Sequence, residues 1–439
     1  MKLLIIDQDD VGLALAFRAV QHGHQVKLFH DPKHRDHKTG HGFKGIEHVD
    51  NFVAHAAWAD VIFPVSNGKY MERLAAMKKQ GAPVFGPSVE STDLEVRRAV
   101  GMRFLEEHGI DVPPYKTFAN LKEAERHVWR TEERYVFKTL GDNEDKSLSY
   151  CSKSPADMIS RLQRWQKLGM NPKGPVMLQE FIEGIEFGVS AWFGKDGRIG
   201  CWNECFEHKP LMPSGTGPNT GEMGTVMQYV AESQLGKIVF DPIHDDLVKL
   251  GHLGDVDLNC IIDKKGKPWP LEFTSRPGWP AFNIMLAEHK GDPVAWMVDA
   301  LQGKDSMDCS LDVAIGIVVA HPDFPYDKRP PEETGGIPVY GLDKGNLRYV
   351  QPQGVRIESR PDMEGDKVVE KDGWVTSGTY VAVVTGLGSS VRQASERAYK
   401  VVKEIQVANK IYRDDIGEGL KKQLPELHKH GFATQMRYE

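Results

Sequence analysis

The 439-residue sequence has little cysteine, no excess of basic residues and no apolar run of membrane-spanning length. Its five cysteines (Cys151, Cys201, Cys205, Cys260 and Cys309) are odd in number and scattered, which argues against a disulfide framework. Cys201, Cys205 and His208 have a loosely metal-like spacing, but no fourth ligand accompanies them, so these thiols are expected to be buried or idle. A membrane span needs about 20 apolar residues, and no stretch approaches that. The opening "MKLLIIDQDD" ends a short apolar run in acid and lacks a signal peptide's h-region and cleavage site. The expected compartment is therefore cytoplasmic. A formal net charge of -7 disfavours a general nucleic-acid binder, which would carry a basic face. There are no internal repeats and no low-complexity tracts. Hydrophobic residues at 40% and charged residues at 27% describe an ordinary globular chain with room for about two to four domains.

What is present is alternation. "KLLIID" followed by "VGLALAFRAVQHGHQVKLF" reads as strand, helix, strand. "ADVIFPV" and "APVFGPS" supply further strands around the helix "YMERLAAMKKQG", giving a parallel α/β domain over approximately the first hundred residues. A dinucleotide-binding Rossmann unit would place G-x-G-x-x-G at the first turn. Here "DQDDVG" offers aspartates instead, so a dehydrogenase is not expected. The stretch "HDPKHRDHKTGHGFKGIEH" carries His30, His34, His37, His41 and His48 without strict ligand spacing, and it reads as a solvated loop rather than a metal site. "DVPPYKTFAN" is a proline-marked boundary before the amphipathic helix "LKEAERHVWRTEE". The strands "RYVFKTL" and "LSYC" flank a polar loop, "GDNEDKS", and "PVMLQEFIEGIEFGVSAWFG" continues as strand and turn. The last hundred or so residues hold the β-like runs "IGIVVAH" and "YVAVVTGLG" and the helix "SVRQASERAYKVVKEIQ".

Chemistry concentrates in a hairpin, "GDVDLNCIIDKKGKPWPLEFTSR", whose turn is "DKKGK". With the turn centred between Lys264 and Lys265, Asp257 and Glu272 lie opposite one another, roughly 5 Å apart at Cβ. Asn259 shares the face of Asp257, and Thr274 and Arg276 share that of Glu272; a one-residue bulge shifts this register. Two facing carboxylates repel unless a cation lies between them, and Mg²⁺ is a suitable occupant. Lys138, inside a strand that looks half buried, needs an anion. With Lys146 at the end of the polar loop it suits a triphosphate. Glu180 and Glu186, in "QEFIEGIE", are acceptors for ribose hydroxyls or an adenine amino group. "TGPNTGEMG", from Thr216 to Gly224, is a loop of fixed shape whose amides reach something small.

This order of parts resembles the ATP-grasp ligases, and specifically the phosphoribosylamine–glycine ligase family, nearly end to end. "VFGPSVESTDLE" looks like that family's entry into the ATP-grasp domain, and "VFKTLGDNEDKS" stands at its lysine strand and glycine-rich loop. "QEFIEGIEFGVS" resembles its E-E-F-L-x-G-x-E element, "EHKP" its D-H-K-R, and "LEFTSR" its E-F-N-C-R. "TGPNTGEMG" differs from T-G-P-N-T-G-G-M-G only at Glu222, and "GTYVAVVTGLGSSVRQASERAY" and "YRDDIG" match the C-terminal domain. The resemblance implies a Rossmann-like N-terminal domain over residues 1–105, ATP-grasp domains over 106–328 with a lid at about 114–190, and a small α+β C-terminal domain over 329–439. It implies ATP and Mg²⁺ (or Mn²⁺) as cofactors and a two-step reaction of purine biosynthesis. ATP phosphorylates a carboxylate, glycine in the family, and an amine, phosphoribosylamine in the family, then displaces phosphate to form an amide. Arg276, Asn219 and Lys146 would act in catalysis. Lys138, Lys146, Glu180, Glu186 and Arg98 would bind ATP, and Asp257, Glu272 and Thr274 the metal. Thr220, Gly221, His208, Lys209, Asp9 and Asp10 would meet the substrates. The expected partners are a small carboxylate (glycine or another amino acid) and an amine, with neither nucleic acid nor membrane, and the chain would be a monomer or homodimer.

Four departures accompany the resemblance. The family's first turn, G-N-G-G-R-E-H-A-L, helps bind the phosphoribosyl group, whereas "DQDDVGLAL" puts Asp7, Asp9 and Asp10 there, and carboxylates repel a phosphate unless protonated or metal-bound. G-P-E is replaced by "PVS", the ATP loop loses glycines, and the metal-ligand asparagine becomes Thr274, followed by "PGWPA" for F-G-D-P-E. The amine side is rewritten while the ATP side survives in outline. That pattern raises a different acceptor, cationic or polyhydroxylic and without phosphate, as an alternative. The degraded ATP loop raises a catalytically weak nucleotide-binding regulator as another, although Lys138, Lys146, Asp257 and Glu272 argue for an enzyme.

Overall fold

The N-terminal alternation resolves into a parallel sheet. In the computed structural model, which describes residues 1–140 and 148–439, strands β1 (Lys2–Asp7), β2 (Gln25–His30), β3 (Ile46–His48) and β4 (Val61–Pro64) pair in the order β3-β2-β1-β4. Helix α1 (Leu13–Gln21) crosses from β1 to β2 and buries Leu13, Ala14, Leu15, Ala16 and Ala19 against them. The strand expected in "APVFGPS" reduces to one bridge between Ile62 and Val84. Pro83 and Pro87 lack the N–H groups a longer ladder would need.

A second, antiparallel sheet contains β5 (Tyr115–Phe118), β6 (Tyr135–Thr139), β7 (Tyr150–Cys151) and β8 (Val176–Glu180), in the order β5-β8-β6-β7. The helices Leu121–Val128 and Pro155–Lys167 cover it, packing Leu121, Val128, Leu162 and Trp165 onto Phe137 and Leu178. Asn120 and Ser154 cap these helices through their side-chain oxygens. The polar loop with Lys146 lies outside the described residues.

The third sheet carries the site. Its strands are β9 (Gly184–Gly194), β10 (Gly197–Glu207), β13 (Gly224–Val230), β14 (Gly254–Asp263), β15 (Pro268–Thr274), β16 (Val313–Ala320), β17 (Val350–Pro352) and β20 (Tyr380–Gly388). They run in the order β15-β14-β9-β10-β13-β16-β20-β17. Two hairpins stand off it: β11 (Pro210–Met212) with β12 (Thr216–Asn219), and β18 (Val355–Glu364) with β19 (Lys367–Thr376). The sheet continues across residue 328, since β17 and β20 join strands from the preceding half of the chain.

Side-chain alternation splits this sheet into two faces. Phe187, Val189, Ala191 and Phe193 of β9 enter a core shared with Val391, Ala394, Leu420 and Leu424 from the C-terminal helices. The opposite face is apolar only at one end, where Trp192 packs on Phe282 and Trp296 with ring centroids 5.8 and 4.9 Å away. Each such aromatic pair contributes about 0.5–1.5 kcal/mol beyond area burial. The Trp192 indole N–H donates to the Tyr229 hydroxyl at 3.1 Å, so its polar end is satisfied. No helix among the described residues is long and apolar enough to cross a membrane.

Two buried imidazoles make the fold acid-sensitive. Burial pushes His252, whose Nδ1 lies 3.1 Å from Ser91 Oγ, down to about 4, and pushes His289 down to about 3. In the unfolded chain both rings take up protons near their ordinary value of 6.5. Between that pH and about 4 the unfolded state thus binds protons the folded state refuses, and stability falls with pH across the window. Denaturant titrations at pH 7 and pH 5 should show a drop to which His252 contributes roughly 2 kcal/mol. His252→Gln should shrink that drop, and an unchanged pH dependence would refute the burial argument.

Candidate active site

The polar face is built by four neighbouring strands, β15, β14, β9 and β10. Alternation aims Glu186 and Ser190 from β9, Asp255, Asp257 and Asn259 from β14, Glu272 and Thr274 from β15, and Asn203, Cys205 and Glu207 from β10 to the same side. Most of these residues line a cavity of about 160 Å³, together with Lys209, Gly221, Glu222, Arg276 and Trp279. Gly188 sits beneath it. A Cβ there would lie 2.7 Å from Cys205 Sγ and 3.4 Å from Asp257 Oδ2, so the missing side chain leaves Asp257 its place.

The hairpin register differs from the sequence expectation. Asp257 pairs with Thr274 and Asn259 with Glu272, and the register shifts between Asn259 and Cys260. The pairing is displaced by two residues from Asp257 opposite Glu272. Because side chains repeat every two residues, the displacement leaves all four on the expected face.

Like charges dominate the cavity and shape its titration. Burial, then Glu207, raises the carboxyl of Glu222 well above the usual range; burial, then Glu207 and Asp255, does the same for Asp257. Burial alone lifts Asp255 to about 7. Desolvation also works against the charge of Glu272, but Arg98, Lys138 and Lys209 outweigh it and hold this carboxyl well below the carboxylate range. The Arg98 guanidinium donates to Glu272. Lys138 is pulled down to about 7 by burial and by Arg98. Lys209 Nζ lies 2.7 Å from Glu186 Oε1 and 2.8 Å from Glu207 Oε2, and its ammonium is held above its ordinary value despite desolvation.

The structure brings Lys138, Arg98, Glu186, Lys209, Asp257, Glu272, Thr274, Gly221 and Arg276 to this region. Glu186 meets Lys209 and Asn259, whose Nδ2 donates to it at 2.6 Å, rather than standing free for a ribose or adenine. Glu180, at the end of β8, does not line the cavity. Asn219 is exposed and pairs with Pro210 in the hairpin, and Thr220 Oγ1 donates to the Lys209 carbonyl. His208 also points away. Its Nε2 accepts from the Gly417 N–H at 3.2 Å, and burial lowers it to about 4, so it ties the hairpin to the C-terminal region. Sequence reasoning missed Glu207, Asp255 and Glu95. The first two repeat at every second position in "NECFE" and "DVDLN", the signal that would have found them. Glu95 accepts from Arg276 at 3.3 Å, from the Ser275 N–H at 2.8 Å and from Asn67 at 2.7 Å, fixing the turn after β15. Only the tertiary fold makes that contact visible.

At the β1–α1 turn the three aspartates separate. Asp7 turns inward, accepting from the N–H groups of Asp9, Val11 and Gly12 at 3.3, 3.1 and 2.7 Å. Its carboxyl is raised to about 6, mainly by burial. Gly12 allows this approach, since a Cβ there would sit 3.0 Å from Asp7 Oδ2. Asp9 is exposed near Lys33, and Asp10 accepts from Thr39 at 2.8 Å and faces His30 and His37.

A lid sheet, a central sheet with an acidic hairpin, and lysines between them define the class, an ATP-grasp enzyme. Family models described as phosphoribosylglycinamide synthetase, ATP-grasp (A) domain, and phosphoribosylglycinamide synthetase, C domain, match residues 98–280 and 314–419. The chain belongs to this family of ATP-dependent carbon–nitrogen ligases. The phosphoribosylamine–glycine ligase of Allochromatium vinosum is 27% identical over 443 residues, covering 95% of this chain and 98% of that one. That of Ralstonia nicotianae is 27% identical over 353 residues, covering 77% and 79%. Among solved structures, phosphoribosylamine–glycine ligase from Thermotoga maritima superposes with a TM-score of 0.71 at 20% identity, covering 95% of this chain and 100% of that one. Campylobacter jejuni biotin carboxylase does so at 0.64 and 13%, covering 98% and 97%. At these identities the two structures speak for the fold.

Two variants test the charge arrangement. Glu272→Gln removes the carboxylate that Arg98, Lys138 and Lys209 hold ionised, and should abolish ATP turnover with the fold intact. Unchanged turnover with Mg²⁺ present would sink the metal role assigned to it. Lys138→Ala should weaken ATP affinity by about 1.5–3 kcal/mol, the scale of a charge-assisted hydrogen bond; equal affinity by calorimetry would refute a phosphate contact.

Proposed function

We propose that the chain activates a small carboxylate with ATP and joins it to an amine, as phosphoribosylamine–glycine ligases do. The γ-phosphoryl group passes to a carboxylate oxygen, giving an acyl phosphate and ADP. The amine then attacks the acyl carbon, phosphate leaves, and an amide remains. The observation that carries this reading is the convergence of Arg276, Glu272, Thr274 and Asp257 on one cavity of about 160 Å³, where a guanidinium suited to a carboxylate lies beside oxygens suited to a hard cation. Arg276 would hold the carboxylate with its planar fork, itself oriented by Glu95. Lys138 and Lys146 would meet the phosphates from the lid side. Gly221 and its neighbours in "TGPNTGEMG" would close over the acyl phosphate and exclude water.

The donor set fits a hard divalent cation. Asp255 Oδ1, Asn259 Oδ1, Asn203 Oδ1 and Ser190 Oγ are buried oxygens without hydrogen-bond partners, beside carboxylates that repel one another. Asp257, Glu272 and Thr274 would hold Mg²⁺. When bound, the ion would neutralise charge on the transferring phosphoryl group. Action in the cytoplasm, as monomer or homodimer, accompanies this reading.

One observation favours a second reading, in which the acceptor amine carries no phosphate. The Val11 and Gly12 amides of the turn before α1 are already taken by Asp7, so a phosphate brought to that turn would meet a carboxylate. ADP release should be measured across amino acids with Mg-ATP, with and without freshly generated phosphoribosylamine. Release that requires both a small amino acid and an amine is the expected outcome. Efficient glycinamide ribonucleotide formation would remove the second reading, and no ADP release with any pair would overturn the ligase assignment.

A further inference from the structure

The histidine-rich stretch after β2 is not a solvated loop. β1 and β2 end side by side, and their register sets Asp7 against His30. His30 Nδ1 lies 3.2 Å from Asp10 Oδ1 and 3.8 Å from Asp7 Oδ2, and one donor atom from each of the three residues falls within 4.8 Å of the others. On the other side of Asp10, His34 and His37 reach the same mutual spacing, with His37 Nδ1 3.1 Å from Asp10 Oδ2. Bonds of about 2.05 Å in a tetrahedral zinc site place neighbouring ligand atoms about 3.3 Å apart. The His30–Asp10 separation is of that size, and the rest of the triad stays within 4.8 Å.

A second observation is independent of spacing. The side chains of His30 and Asp10 are each 9% exposed. His30 Nδ1 and Asp10 Oδ1 face one another at 3.2 Å without good hydrogen-bond geometry, and His30 Nε2 and His34 Nδ1 have no hydrogen-bond partner. Buried polar atoms in native proteins are rarely left so, because each then loses its hydration without compensation. His30 and His37 flank Asp10 on either side, while half-buried His34 and His37 leave an approach from solvent.

We propose that Asp7, Asp10 and His30, with water completing the shell, hold one divalent transition-metal ion of the zinc class. Mixed imidazole and carboxylate donors suit Zn²⁺, Co²⁺ or Ni²⁺, whereas Mg²⁺ selects oxygen alone. The chain thereby sorts two cations by chemistry, since the acidic cavity is lined by no histidine among the described residues. The ion pins the β1–α1 turn to the segment after β2. Thr39, which donates to Asp10, also meets Ser377 Oγ at 2.7 Å, so the C-terminal region is fastened to the same point.

The unaltered protein, in excess Mg²⁺, should retain one equivalent of added Co²⁺ or Zn²⁺ after dialysis. Its X-ray absorption spectrum should show imidazole in the first coordination shell, and its melting temperature should rise. Asp10→Asn and His30→Gln should each weaken retention at least tenfold while circular dichroism stays native. Failure to retain an ion, or oxygen-only ligation, would overturn the proposal, because the acidic cavity alone would then bind cations. So would retention lost in Asp257→Asn but kept in Asp10→Asn. The spectrum of the unaltered protein decides the matter even where a variant folds poorly.

Discussion

Glu207, Glu222, Asp255, Asp257 and Glu272 line a single cavity, where unit charges 4 Å apart repel by roughly 4 kcal/mol at an effective dielectric of about 20. Much around the cavity answers that repulsion. Arg98 and Lys138 face Glu272, Lys209 bridges Glu186 and Glu207, and Arg276 is held by Glu95. Burial, with the repulsion these cations leave uncompensated, raises the carboxyl groups of Asp257 and Glu222, and burial alone raises that of Asp255. A site of this kind is primed for a further cation, whose arrival would release the protons those groups hold. Substrate chemistry that gathers phosphate and carboxylate oxygens has the same need, so the electrostatics of the empty face and the reaction point the same way.

The parts legible in the sequence were those governed by period. Strand alternation placed Asp257, Asn259, Glu272 and Thr274 on one face even though their cross-strand pairing was displaced by two residues. The parallel N-terminal sheet, the lid strands and the long C-terminal helix followed from apolar spacing for the same reason. The proline-bounded "APVFGPS" misled, because its apolar content suits a strand while its prolines remove ladder donors. Contacts between elements distant in sequence were beyond reach. Glu95 on Arg276 and Gly417 on His208 are set by how helices and sheets dock, and nothing local announces them.

The histidine stretch poses a related question. Ligand spacing was sought along the chain, where His30, His34, His37, His41 and His48 follow no metal-binding pattern. The spacing that matters runs across strands, from Asp7 on β1 to His30 on β2, and parallel register supplies it. In an open parallel sheet the carboxyl ends of the strands are where side chains from separate segments converge on a crevice. Residues at those ends are better compared with one another than with their chain neighbours.

The β1–α1 turn shows how one backbone arrangement takes alternative partners. Exposed N–H groups at a helix start favour an anion, and they draw no distinction between a bound phosphate and the chain's own carboxylate. Here Asp7 accepts from the N–H groups of Val11 and Gly12 just before α1, and Gly12 keeps the space that makes the contact close. An internal anion avoids the cost of recruiting a ligand, but it is buried, and its carboxyl is raised to about 6 in consequence. A negative charge is thus built into the fold at this turn, with His30 3.8 Å from Asp7 and 3.2 Å from Asp10. The turn before α1 therefore meets any incoming anion with a carboxylate in place of two of its amides.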